Sequence, residues 1–323
     1  MSKIIIGIHG LGNKPDPERL KKWWLASIRE GLGNLGKSEL DLTFELAYWA
    51  HLLHPIPLNP AVDDKDDPLY VEDPYIPADK NNKIDPPGNL RKKIVDYLGD
   101  QLEEMFLNDD LTINFSSVSD FIIKRFFSDL AVYYNTFHDD QQSSRQQRKK
   151  EIRTVLKELL LKHRKKEILL IAHSMGAIIA YDVLTELGEE IRINTLITIG
   201  CPLGLPIIRG KIAAEHSSTD NPKERLKTPE AVTANWFNLA DLKDKIALYH
   251  RLGDDFIENS KGVRVIDKTV INTYSQINGD RNPHKAYGYL RTPELIQIVS
   301  TFLEARPPGF FPKILEKLRG WFG

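Results

Sequence analysis

The chain opens with an unbroken apolar run, KIIIGIHG (Lys3–Gly10). A continuous run, as opposed to an alternating one, suits a strand covered on both faces, as in a parallel sheet. Asp16 and Pro17 supply an N-cap and a first-turn proline, which predicts a helix through Leu20, Trp24 and Ile28. LTFELAYWA (Leu42–Ala50) reads as the second strand. From His51 to Pro87 the period is lost among Pro, Asp and Asn, over a length no ordinary connection needs. Helical signals resume near Asn89, and Val118, Ile122, Phe126 and Leu130 form a broad apolar face. Residues 51–140 therefore read as an inserted cap or lid. Ile152, Val155, Leu156, Leu159 and Leu160 then fall at i, i+3, i+4, i+7 and i+8 of an amphipathic helix. Arg148, Lys149, Lys150 and Lys157 are expected on its solvated face.

Beyond this helix the alternation is regular. Strands are predicted at Glu167–Ala172, Thr195–Gly200, Thr233–Ala240 and Thr269–Ile277, with a helix from Met175 to about Leu187 and a closing helix over Glu294–Leu303. Strands alternating with helices give right-handed βαβ units, hence a parallel sheet with helices on both faces. The expectation is one α/β domain over residues 1–323 on a six-stranded, mostly parallel sheet, without internal repeats.

Composition narrows the partners. The 323 residues are 41% hydrophobic, enough for a sizeable core, and the formal net charge of −1 gives no field for nucleic acid. A single cysteine, Cys201, rules out an internal disulfide and suits a reducing compartment. The N-terminal run is too short for a signal-peptide core, and no run reaches the roughly 18 apolar residues of a membrane span. The reading is of a soluble, cytoplasmic protein. RPPGFFPKILEKLRGWFG (Arg306–Gly323) qualifies it: aromatic and aliphatic residues recur at helical spacing, with Lys313, Lys317 and Arg319 between them. Such a tail either packs on the body or rests as an interfacial helix on a membrane or an oligomer partner.

The chemistry gathers around IAHSMGA (Ile171–Ala177), where a strand meets a helix. That is the context of a nucleophile elbow, whose flanking positions must be small; here they are Ala172 and Gly176. A serine hydroxyl needs a base and an acid to orient it, in the chain order Ser, acid, His. Of the histidines after Ser174, only His284 follows the last predicted strand; His216 and His250 come too early. Asp241 and Asp244 are the candidate acids, and Asp244 is preferred because the chain needs a few residues to return over the sheet edge. Oxyanion donors are expected at the amides of Met175 and of Leu11, in the HGLG loop after the first strand.

The segments IHGLG, IAHSMGA, TIGCPLG, WFNLADLKDKIA and HKAYGYL, in this order, resemble the α/β-hydrolase superfamily, and more narrowly its lipase and esterase-like members around the GPI inositol-deacylases. The resemblance covers the first strand and Glu167–Leu303. It implies a serine hydrolase acting on carboxylic esters, lipid or acyl esters among them. Ser174 is then the nucleophile, Asp244 the acid, His284 the base, and Leu11 and Met175 the oxyanion donors. Lys245 stands where those relatives carry proline, Cys201 where many carry serine, and Ala172 where most carry glycine. Acyl transfer on the same triad and a catalytically silent binding module are the alternatives. No cofactor is implied. His51, His54, Asp63, Asp64, Asp66 and Asp67 fit no standard metal-ligand spacing. GIHGLG lacks the register of a dinucleotide loop. His9 and His173 are expected to shape their loops, and Cys201 to act as a small buried hydrophobe.

Overall fold

The computed structural model describes residues 2–79, Tyr133, 142–216, 226–247 and 249–305. The predicted helical signals near Asn89 and at Val118–Leu130, and the tail from Arg306, lie outside them. The chain begins with β1 (Lys3–Ile8), α1 (Pro17–Asn34) and β2 (Phe44–Ala47), then continues from α2 (Gln142–Lys162) into β3 (Glu167–His173) and α3 (Met175–Leu187). β4 (Ile193–Ile199), α4 (Pro206–His216), β5 (Leu226–Lys227) and β6 (Val232–Ala240) follow. The last described elements are α5 (Leu252–Asp255), β7 (Phe256–Ile257), β8 (Val265–Thr269), α6 (Ala286–Leu290) and α7 (Pro293–Glu304). The main sheet has six strands in the order β2-β1-β3-β4-β6-β8. Every pairing in it is parallel, so the expected "mostly parallel" sheet is wholly so.

The run of isoleucines in β1 is continuous because both faces are covered. Ile4, Ile6 and Ile8 pack with Leu156 and Leu160 of α2 and Ile178 and Ile179 of α3. Ile5 faces the other way, toward Leu20, Trp24 and Ile28 of α1 and Ile296 and Val299 of α7. α1 starts where expected: the Asp16 side chain accepts from the Arg19 amide at 2.9 Å, with Pro17 in the first turn.

Three expectations are corrected. The sixth strand is Val265–Thr269, not Thr269–Ile277. β8 is an edge strand, exposed at four of its five residues, so it carries no apolar pattern; Val270 and Tyr274 are buried from the loop that follows. β2 is shorter than Leu42–Ala50, covering Phe44–Ala47. Lys149 does not lie on a solvated face. It pairs with Glu215 of α4 and lies over the Tyr133 ring, beside Arg153, which pairs with the fully buried Asp182 at 2.5 Å. Arg148 is exposed, as expected, and donates to the Leu52 carbonyl at 2.7 Å.

Within the predicted insertion, residues 70–78 lie along the body as a strap. Glu30 on α1 accepts from Tyr75 Oη at 2.9 Å and from the Ala78 amide at 2.7 Å, and Arg291 reaches both Glu30 and the Ile76 carbonyl. Asp73 accepts from Gln276 at 2.8 Å and Asn282 at 3.2 Å, and pairs with Lys285 at 3.4 Å. The chain leaves β1 toward one side of the sheet and returns at β3 on the other. In such sheets the crevice beyond the carboxyl ends at that switch point is where ligands bind. The β1 and β3 loops open there.

Candidate active site

Ser174 stands between β3 and α3 with φ 54° and ψ −126°; among the described residues it is the one non-glycine with positive φ. A conformation of this kind costs about 1–3 kcal/mol and persists only where surrounding contacts hold it. Here the Ser174 amide donates to the Ile199 carbonyl at 3.0 Å, and the Ala177 amide to the Ser174 carbonyl at 2.8 Å. Gly176 is small of necessity: a Cβ there would stand 2.7 Å from the Ile8 carbonyl oxygen and 2.8 Å from that of His9. The turn therefore presses α3 against the end of β1 and brings the HGLG loop beside the serine.

His284 comes to the same place from the opposite end of the chain. Its Nε2 lies 3.0 Å from Ser174 Oγ, and its Nδ1 lies 2.9 Å from each Asp244 oxygen. Asp244 is fully buried and also accepts from Tyr289 Oη at 2.7 Å and from the Ile246 amide at 3.0 Å. A carboxylate facing Nδ1 assigns the ring proton to that nitrogen and leaves the Nε2 lone pair toward Ser174. Asp241 does other work. It accepts from the Asn272 amide at 2.7 Å and the Lys243 amide at 2.8 Å, and it pairs with Arg281. Burial raises its carboxyl against those donors.

The loop carrying His284 is tied at three successive carbonyls. Asn272 Nδ2 donates to Pro283 O and Lys285 O, both at 2.8 Å, and His173 Nε2 bonds His284 O at 2.8 Å. Burial, then the neighbouring His284, pushes His173 well below the usual imidazole range, so it stays neutral with its proton on Nε2. Its ring packs against that of His284, centroids 4.9 Å apart. His9 is also held neutral, down to about 3, mainly by burial and then by Lys14. Leu11 and Met175 border one small recess together with Trp49 and Tyr133. As the first residue of α3, Met175 has an amide with no intrahelical acceptor, at the positive end of the helix. His250 is buried, its carbonyl accepting from Asn238 of β6 at 2.9 Å, and it does not line the cavity that Ser174 lines. Cys201 is buried and its thiol is pushed up to about 12 by desolvation, which keeps it protonated. Among the described residues no group of three or more His, Cys, Asp and Glu side chains could hold a metal ion.

Ser174 and His284 open on a cavity of about 330 Å³ whose wall mixes Leu20, Trp24 and Val71 with Lys14, Asp73 and Lys285. Sequence reasoning did not find Asn272, Tyr289 or Asp73. Tyr289 lies inside HKAYGYL and could have been suspected; Asn272 was hidden in a segment read as strand, and Asp73 in one without period.

Residues 126–201 match a family model described as an alpha/beta hydrolase of unknown function (DUF900). The match covers about a quarter of the chain. It takes in the Ser174 turn and stops at Cys201, short of both Asp244 and His284. It also starts inside the 51–140 segment, at Phe126, where no resemblance was visible. No curated protein matches the chain. The wholly parallel six-stranded sheet with helices on both faces is that of an α/β-hydrolase fold. No helix among the described residues of this hydrolase fold is long and apolar enough to cross a membrane.

Proposed function

We propose that the protein is a serine hydrolase that cleaves carboxylic esters through an acyl-enzyme. Ser174 Oγ attacks the ester carbonyl while His284 Nε2 takes its proton, and Asp244 holds the imidazolium that results. The amides of Leu11 and Met175 receive the oxyanion. The C–O bond to the alcohol breaks as His284 returns the proton to the leaving oxygen. Water, deprotonated by His284, then releases the acid and restores Ser174. The single observation that carries this reading is the unbroken relay at hydrogen-bond distance: Ser174 Oγ to His284 Nε2 at 3.0 Å and Nδ1 to Asp244 at 2.9 Å, starting from a serine in a conformation few residues adopt.

The test is labelling with a fluorophosphonate. The protein should be modified stoichiometrically at Ser174, and the Ser174→Ala variant not at all. An unlabelled wild-type protein would mean a silent binding module. Hydrolysis of a chain-length series of acyl esters then defines the substrate. Added alcohols or thiols that divert the acyl group into new esters or thioesters would assign acyl transfer instead. Lipid or acyl esters are the proposed substrate class, with the 306–323 tail as the contact with a membrane or oligomer partner. Ending the chain at Arg306 should then reduce vesicle binding and activity on dispersed lipid while activity on a short soluble ester holds.

A further inference from the structure

The loop from His9 to Asn13 has each of its carbonyls engaged by a side-chain donor. His9 O accepts from Trp49 Nε1 at 3.0 Å, and Gly10 O from His9 Nδ1 at 2.8 Å. The next three turn to one ammonium: Lys14 Nζ donates to Leu11 O, to Gly12 O at 3.1 Å and, at the limit of contact, to Asn13 O at 3.5 Å. An ammonium has three N–H donors, and the loop offers it three acceptors. Lys14 is itself held by the loop, its amide bonding Asn13 Oδ1 at 2.8 Å while Asn13 Nδ2 reaches the Ile56 carbonyl at 2.9 Å.

The geometric consequence follows from the planarity of the peptide unit. A carbonyl and the N–H of the next residue point in opposite directions across one plane. Fixing Gly10 O aims the Leu11 N–H, and fixing Leu11 O aims the Gly12 N–H. Leu11 is therefore pinned on both sides, by His9 before it and by Lys14 after it. This loop lies against the serine: a Cβ on Gly10 would stand 2.7 Å from Ser174 Cβ. Lys14 also lines the cavity into which Ser174 opens. Its charge reaches the site, since it adds to burial in holding both His9 and His173 neutral.

We propose that Lys14 is a positioning residue for ester hydrolysis: its ammonium gathers the carbonyls of Leu11, Gly12 and Asn13, holds Leu11 from its C-terminal side while His9 aims the Leu11 N–H from the other, and holds a positive charge beside the oxyanion. The proposal rests on the hydrolase reading above. It separates Lys14 from a substrate-anchoring lysine, which would change KM rather than kcat.

The test compares Lys14→Met, Lys14→Gln and Lys14→Arg with the wild-type protein on one short aryl ester. Losing a direct oxyanion donor costs about 10²–10³ in kcat, so losing the group that braces the donor's residue from one side, and its charge, should cost about 10–10². Lys14→Met should lose that factor in kcat with KM within about twofold, and bind a phenylboronic acid correspondingly more weakly, because the boronate mimics the tetrahedral state. Lys14→Arg, which keeps charge and donors, should recover most of the loss. Hydrogen exchange should quicken at the amides of residues 10–13 in Lys14→Met and not across the sheet. Should Lys14→Met fail to fold, Lys14→Gln carries the same comparison with an uncharged donor. The proposal is overturned if kcat stays within about threefold of wild type, if KM takes the loss, or if Lys14→Arg is as impaired as Lys14→Met. Absence of fluorophosphonate labelling in the wild type overturns the hydrolase reading and the catalytic role with it. The exchange measurement then still decides whether Lys14 holds the loop.

Discussion

Replacing Asp244 by Asn removes one charge and one acceptor from a site where both have definite partners. Asp244 has no exposure and receives His284 Nδ1, Tyr289 Oη and the Ile246 amide. Ile246 donates to one Asp244 oxygen and Tyr289 to the other, so an asparagine of the same shape that keeps the Ile246 bond with its carbonyl oxygen turns its NH₂ group toward Tyr289 Oη and His284. The imidazole must then present a lone pair at Nδ1, its proton moves to Nε2, and Nε2 can no longer accept the proton of Ser174. With the geometry intact and the tautomer wrong, turnover should fall by about 10³–10⁴, or about 4–5.5 kcal/mol of transition-state stabilisation. KM should change little. Asp241→Asn is the internal control: it loosens Arg281 and the Asn272 amide without touching His284, and should cost stability with an activity loss below about tenfold. Tyr289→Phe deletes one of the donors to Asp244 and should lie between the two, at about three- to tenfold. The assay is steady-state hydrolysis of a short ester, with thermal midpoints recorded for each variant. If Asp241→Asn abolished turnover while Asp244→Asn preserved it, the acid would be Asp241 and the argument would fail.

Ser174→Ala should lower turnover by about 10⁴–10⁶ with the thermal midpoint nearly unchanged; residual esterase activity in a clean preparation would refute the nucleophile. Gly200→Ala should cost about tenfold or more in kcat/KM, because Gly200 has φ 54° and a Cβ there would meet Asp244 Oδ2 at 3.0 Å and His284 Nδ1 at 3.1 Å; unchanged kinetics would deny that crowding. Stability should fall as pH drops. His9 is lowered from 6.5 to about 3 in the folded chain, so below pH 6.5 the unfolded state binds the proton that the folded state refuses, and the loss continues toward pH 3. His173 acts in the same direction. Each contributes at most about 1.4 kcal/mol per pH unit, read by urea unfolding at pH 7.5 and pH 5; His9→Asn should flatten the dependence, and an unaltered slope would show that His9 is not the group concerned.

What could be read from the residues was what local rules govern. The isoleucines of β1, the Asp16–Pro17 start of α1 and the small residues around Ser174 each state their own conformation. The choice of Asp244 over Asp241 rested on loop reach alone, since both are buried aspartates three residues apart. β8 escaped because an edge strand facing solvent has no hydrophobic period to display. Lys149 looked solvated because its partners, Glu215 and Tyr133, lie far from it in the chain. Asn272, His173 and Lys14 serve the site through backbone carbonyls, and a backbone carbonyl leaves no trace in a sequence. The strap over residues 70–78 is fastened by single polar contacts to Glu30, Gln276 and Asn282, with no repeating pattern that periodicity could detect.

Asp73 meets Gln276 and Asn282 across 203 and 209 positions of chain, and Ser174 meets His284 across 110. Contacts of such long range form late in folding, after the entropy of closing large loops has been met by the sheet and its helices. A refolding chain will recover the buried Trp236, which packs on Tyr181 and Phe256 within a shorter stretch of chain, before His284 stands over Ser174. Trp236 fluorescence will therefore run ahead of the proposed ester hydrolysis, and the lag between the two signals measures how long the last loops take to close.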